Sequence, residues 1–215
     1  MGELRPLTCD LGCLSRPDGS ATLTQGDTSV TAAVYGPTEV KIAKELIDKS
    51  YVEVVYKQKS GLPSCAEKFN ERIIRNTCQT AILASLHPRT AINITIQELQ
   101  NSGSLLSCCI NAACLCLLDC SISMGCMVAA VCVGIDGEGG VIVDPNDKQE
   151  KDCSTYVTFV FESKKKEIVS VSMEGSCSSE QFKTCLSVGR SASEKIFKFY
   201  RDSIEKKMSK SLAFK

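Results

Sequence analysis

The chain has 215 residues, with 25 Lys+Arg balanced by 25 Asp+Glu and a single histidine, His87. That length suits one large domain or two small ones with a proper buried core. A net charge of zero argues against a stand-alone nucleic-acid binder, whose phosphate affinity comes from excess positive charge, so any grip on RNA must be local or shared with other chains.

The 14 cysteines do not read as a disulfide frame or a zinc site. No two stand three apart, His87 is alone, and the opening MGELRPLTCD lacks an apolar signal segment. Those features point to an intracellular, reduced chain. Cys108, Cys109, Cys114, Cys116, Cys120 and Cys132 fall inside apolar segments, where a reduced cysteine packs as a small hydrophobe. The longest apolar run, Leu105 to Leu118, falls short of the roughly 20 residues of a membrane span. A soluble protein with no membrane partner is expected.

In chain order, ATLTQGDTSVTAAVYG holds two β-rich runs around Gln25-Gly26-Asp27, a hairpin signal. Tyr51 to Gln58 alternates, with Val52, Val54 and Tyr56 on one side. Pro63 precedes a helix predicted from Ser64 to Leu86, with Ala66, Phe69, Ile73, Ile74, Thr77 and Ala81 as its apolar face and His87-Pro88 as its stop. Ala91 to Leu99 alternates as a half-buried strand. The next helix opens at Gly103-Ser104, with Ser102 or Ser104 as its expected cap. Met127 to Ile135 is a nearly continuous apolar run, the pattern of a strand covered on both faces. Two alternating strands follow, joined at the Lys164–Lys166 turn. A long helix spans Ser178 to Met208, where Ser178 and Gln181 fit a capping box. The lysines of that helix read as a solvated face. Strands and then helix, in two rounds, predict a single α+β domain over residues 1–208, with 209–215 a frayed tail.

A glycine ahead of free helix N–H groups makes an anion site, yet Leu105 and Leu106 follow where a basic residue would help. Two stretches carry more specific information. RPDGSATLTQGDTSVTAAVYGP, Arg16 to Pro37, resembles the signature of the RNase PH superfamily: Arg-x-Asp-Gly-Ser, Gly-Asp-Thr-x-Val, then Gly-Pro-x-Glu ending at Glu39. SGSLLSCCINAAC resembles the family's Gly-[Ser/Thr]-x-x-x helix with its Asn-Ala pair. The order of elements agrees from Ser15 to Tyr200. Within the family, LSRPDGSA, GLPSCAEK, ERIIRNTC, LHPRT and DPNDKQEK are most similar to a ring subunit of the eukaryotic RNA exosome core.

The resemblance implies a fold like ribosomal protein S5 domain 2, β-sheets with helices packed between and over them. It also implies a hexameric ring of RNase PH-like chains around an RNA channel, with a ring partner of the ribosomal RNA-processing protein 43 type. Residence in nucleus, nucleolus and cytoplasm follows. A homodimer is compatible with it.

Active members of the family are phosphorolytic and carry an arginine after Gly-[Ser/Thr] at the helix mouth; here that triplet is Gly103-Ser104-Leu105. A charge-assisted hydrogen bond contributes roughly 1.5–3 kcal/mol, and losing a transition-state donor costs about 10²–10³ in rate. A bare helix end, at roughly 0.3–1 kcal/mol per charge, does not make that up. Asp144 and Glu150 stand at the spacing of the family's two catalytic aspartates and are the candidate catalytic or metal-holding pair, Glu150 being one methylene longer. No cofactor is required; Mg²⁺ belongs to the active case. Arg72 and Arg75, with Gly103 and Ser104, are the candidate phosphate or RNA contacts, and the two arginines could equally pair with Glu67, Glu71 or a neighbouring subunit. Arg16, Asp18 and Gly19 read as fold-forming, Asp147 and Asp152 as solvated turn residues. The expected function is a non-catalytic structural subunit supporting 3′→5′ RNA processing and degradation. A metal-dependent nuclease acting as a homodimer, a residual phosphorolytic exoribonuclease and an RNA-binding module remain the alternatives.

Overall fold

The computed structural model describes residues 4–137 and 139–213, the last four of them by backbone only. Strands β1 (Leu7–Leu11), β2 (Gly19–Gln25) and β3 (Thr28–Glu39) form an antiparallel meander. The predicted hairpin closes at Gly26-Asp27, with Gly26 at φ +59°. β4 (Tyr51–Lys57) joins the same sheet through β5 (Thr90–Gln100), parallel to it, in the order β1-β2-β3-β5-β4. Val52, Val54 and Tyr56 of β4 face inward, as their alternation predicts.

Between β4 and β5 lies α1 (Cys65–Ala81). It starts at a capping box in which the Glu67 carboxylate takes the N–H and hydroxyl of Ser64. It stops short of the predicted Leu86 because the chain has better partners there. Ile82 bridges Met124, Leu83 N–H bonds Ser123 O at 3.0 Å, and residues 84–86 tighten into a 3₁₀ turn. The buried face is Glu67, Ile74, Thr77, Cys78 and Ala81. Ala66 and Phe69, expected on it, are exposed, Phe69 by 55%.

The second sheet is antiparallel, in the order β7-β6-β8-β9, from β6 (Val128–Asp136), β7 (Val141–Val143), β8 (Cys153–Glu162) and β9 (Ile168–Gly175). Helix α2 (Leu105–Asp119) is clamped between the two sheets, against β2 and β3 on one side and β6 on the other. Every residue from Ser107 to Leu117 is buried, which is why a helix of cysteines, alanines and leucines suits the place. Small side chains permit close approach: a Cβ on Gly19 would sit 2.6 Å from the Cys120 backbone nitrogen. Of the six cysteines assigned to packing, five are buried and Cys120 is half-buried. Burial pushes the Cys108, Cys114 and Cys132 thiols up to about 12, so they stay neutral.

β6 is buried from Val128 to Ile135 because α2 covers one face and α4 (Ser179–Ala213) the other. The capping box at its start is present, Ser178 Oγ accepting from Gln181 N–H at 3.2 Å and Gln181 Oε1 from Ser178 N–H at 2.9 Å. α4 continues to Ala213, so residues 209–213 are helical where the sequence suggests a frayed tail; 214–215 lie outside the described residues. Across the centre, Asn111 of α2 bonds both main-chain groups of Ala130 at 2.8 and 3.0 Å and accepts from the Tyr200 hydroxyl at 2.8 Å. One hydrophobic cluster runs through both sheets and α1, α2 and α4.

Candidate functional site

The mouth of α2 meets the turn after β7, which leads into a short helix, α3 (Asp147–Asp152). The approach is too close for a side chain at Gly103: a Cβ there would lie 2.5 Å from Pro145 O, and the residue's φ of +97° is itself glycine territory. Asp147 N–H bonds Ser102 O at 3.1 Å. Ser104 occupies the N-cap position in the left-handed region at φ +54°, and its side chain does not cap the helix as expected. The hydroxyl donates instead to Pro145 O at 3.0 Å.

The Ser104 N–H, the group that would cradle an anion, donates to Glu150 Oε1 at 2.6 Å. The protein's own carboxylate thus takes the position that the helix end offers. Burial, with help from Asp147 and Asp144, raises the Glu150 pKa, while the Ser104 N–H and Arg5 pull against that rise. Beyond Glu150 lies a pocket of 190 Å³, lined also by Leu105, Tyr156, Glu174, Asn70 and Thr158. The Tyr156 hydroxyl donates to Glu174. No Lys, Arg or His is among the described residues lining it, so the pocket has acceptors and hydroxyls but no cation for a phosphate.

Asp144, in the left-handed region at φ +55°, sits beside Glu150 in sequence but faces another way. Its side chain is wholly buried and holds Arg5 bidentately, Nη2 to Oδ1 at 2.6 Å and Nε to Oδ2 at 2.8 Å. Arg5 is the residue that the sequence reading misses. An isolated arginine ahead of Pro6 matches no spacing pattern, and its partner lies far along the chain. Burial opposes its charge, but the hydrogen bond and field of Asp144 outweigh that and raise its pKa further. A divalent cation does not fit the proposed pair: both Asp144 oxygens are taken by the guanidinium, and Glu150 Oε1 points at a backbone N–H.

The structure does not bring the other candidate cations to this mouth. Asn70 of α1 lines the pocket, whereas Arg72 and Arg75 do not. Arg72 is exposed and Arg75 half-buried, and neither has an ion pair among the described residues. The suggested partners are occupied: Glu67 holds Ser64, and Glu71 takes Tyr56 N–H at 3.1 Å and Lys68 at 2.8 Å. In the first motif Asp18 Oδ2 accepts from Gly36 N–H at 2.9 Å, the fold-forming role expected of it. Asp147 pairs with Lys151 at 2.8 Å in solvent, and Asp152 is exposed.

Residues 3–123 match domain 1 of the 3′ exoribonuclease (RNase PH) family and residues 126–192 match domain 2, and the chain belongs to that family. Within it, the chain is 34% identical to the exosome complex exonuclease RRP46 homolog of Arabidopsis thaliana, over 97% of this chain and 94% of that protein. The crystal structure of rice (Oryza sativa) Rrp46 superposes with a TM-score of 0.91 at 34% identity, covering 95% and 96% of the two chains. A chain of the Archaeoglobus fulgidus exosome, solved with RNA bound to the active site, shares the fold at a TM-score of 0.80 and 19% identity, over 92% and 89%.

Proposed function

We propose that this chain is a ring subunit of the RNA exosome core that supports 3′→5′ RNA processing and degradation without phosphorolysis of its own. Similarity to RRP46 proteins along the whole chain supports the ring assignment. The observation that carries the silent reading is the contact between Glu150 and Ser104 N–H at 2.6 Å. Inorganic phosphate would have to displace a covalently tethered carboxylate, and Leu105 offers no positive charge in return. Two polyanions meet in phosphorolysis, and a site that greets them with Glu150 and Glu174 repels both.

On this reading a chain of the ribosomal RNA-processing protein 43 type is the ring neighbour, and RNA is reached through the assembled channel, with Arg72 and Arg75, which have no ion pair among the described residues, as its contacts here. Nucleus, nucleolus and cytoplasm are the corresponding compartments, and a homodimer is a state of the free chain. Nuclease chemistry through Asp144 and Glu150 would first require both to leave their present partners.

The purified chain, given poly(A), phosphate and Mg²⁺, is expected to release no nucleoside diphosphate, and Leu105→Arg alone is expected not to change that, since Glu150 still covers the N–H. Mixed with the other ring chains it enters the hexamer. Robust nucleoside diphosphate release by the wild-type chain defeats the silent reading; a hexamer that assembles without it defeats the ring reading.

A further inference from the structure

Helix α4 carries a charge imbalance that the neutral chain conceals. From Lys183 to Arg201 it sets Lys183, Arg190, Lys195, Lys198 and Arg201 against one carboxylate, Glu194; acids return only beyond, at Glu180, Asp202 and Glu205. All five cations are exposed, and none has an ion pair among the described residues. Glu194 does not neutralise them, because Lys166 of the turn between β8 and β9 pairs with it. At 3.6 residues per turn, Lys183, Arg190, Lys198 and Arg201 share a sector of about 80°, with Lys195 at its margin, along a rise of about 27 Å. Lys195, Lys198 and Arg201 follow at three-residue steps, neighbours on a helix surface whose like charges repel. Folding gains nothing from that arrangement, whereas a polyanion laid along it would relieve the repulsion.

The second sheet separates this stripe from the pocket beyond Glu150. Gly189 and Phe182 of α4 pack on Phe159 of β8, while Tyr156 and Thr158, the alternate positions of that strand, line the pocket. Among the described residues, no large apolar side chain is exposed on α4 before Met208. A protein partner anchors through aromatic or aliphatic side chains and a membrane through an apolar face, but a phosphate backbone asks only for spaced positive charge. We propose that the stripe binds the phosphate backbone of single-stranded RNA without regard to sequence, on a face remote from the Gly103-Ser104 mouth. The choice of RNA rests on the exosome reading; binding by the free chain is measured apart from ring entry, so either can fail while the other stands.

The probe is a fluorescein-labelled oligouridylate, titrated with the full chain and followed by anisotropy at about 50 to 200 mM KCl. For wild type, log affinity is expected to fall against log salt with a slope of about −2 to −3, from three or four phosphates at roughly −0.7 each. The triple variant Arg190→Ala, Lys198→Ala, Arg201→Ala is expected to lose about tenfold or more at the lower salt and to flatten the slope to about −1. Glu194→Gln removes the one carboxylate and frees Lys166, so it tightens binding, a gain that misfolding does not imitate. Arg72→Ala with Arg75→Ala, on α1, is expected to change the affinity of the free chain by less than about twofold. A wild-type chain that leaves the anisotropy flat at the lower salt overturns the proposal. So does a triple variant that binds like wild type, or binding lost only with the α1 pair. A triple variant that keeps its RNA affinity but is excluded from the hexamer makes the stripe a protein interface instead.

Discussion

The Glu150 side chain reaches back to the mouth of α2 and takes the Ser104 N–H. The contact has a cost that pH reveals. Because burial raises the Glu150 pKa above 4.5, the folded chain holds a proton there more readily than the unfolded chain. Stability from this group therefore falls as pH rises from the ordinary carboxylate range through the raised value, and levels off beyond it. Glu150→Gln keeps an acceptor for Ser104 without the charge. It is expected to match wild type near pH 4 and to exceed it by roughly 0.5–1 kcal/mol at pH 7, a half-exposed carboxylate being screened. Urea denaturation across that range measures the difference; a gap that widens toward acid contradicts it. The six-residue spacing that the resemblance implies brought Asp144 and Glu150 to notice. Nothing local could say that they serve different partners, because Arg5 reaches Asp144 across 139 positions of sequence.

At the scale of elements, α2 decides most of the architecture, and its composition announced a buried helix. The polar break at Asn111 proves to be its most connected residue, joined to β6 and α4 at once. Asn111→Leu strands both main-chain groups of Ala130 and the Tyr200 hydroxyl, and each buried unpaired group costs about 1–3 kcal/mol. A loss of roughly 3–5 kcal/mol is expected in chemical denaturation. Tyr200→Phe removes one donor and leaves Asn111 its Ala130 bonds, for a loss of about 0.5–1.5 kcal/mol. The two changes together should cost less than their sum, since they share one network; strict additivity would mean that the network is not one unit. Helix α1 was less legible. Its periodicity continues past Ala81, but the bridge from Ile82 to Met124 depends on a distant loop that no helical pattern can register. Phe69 follows the apolar stripe and still faces solvent, because α1 is covered along its second half and not its first.

For the whole molecule, the boundary between the two family domains falls near residue 125, yet the hydrophobic cluster crosses it without a gap. Helix α2 belongs to both sheets and could not be left half-covered by the loss of either. One cooperative unfolding transition is expected, with amides of β5 and β6 exchanging at the same limiting free energy. Exchange that separates the two sheets by several kcal/mol would show two folding units instead.

The bond between Arg5 and Asp144 also bears on how the chain is made. A ribosome adding roughly 5–20 residues per second needs on the order of ten seconds to pass from one to the other. Throughout that interval the arginine exists while its acidic partner does not. The first sheet must therefore wait beside an uncommitted N-terminal segment, and the last act of closing the site falls to the earliest part of the chain to be born.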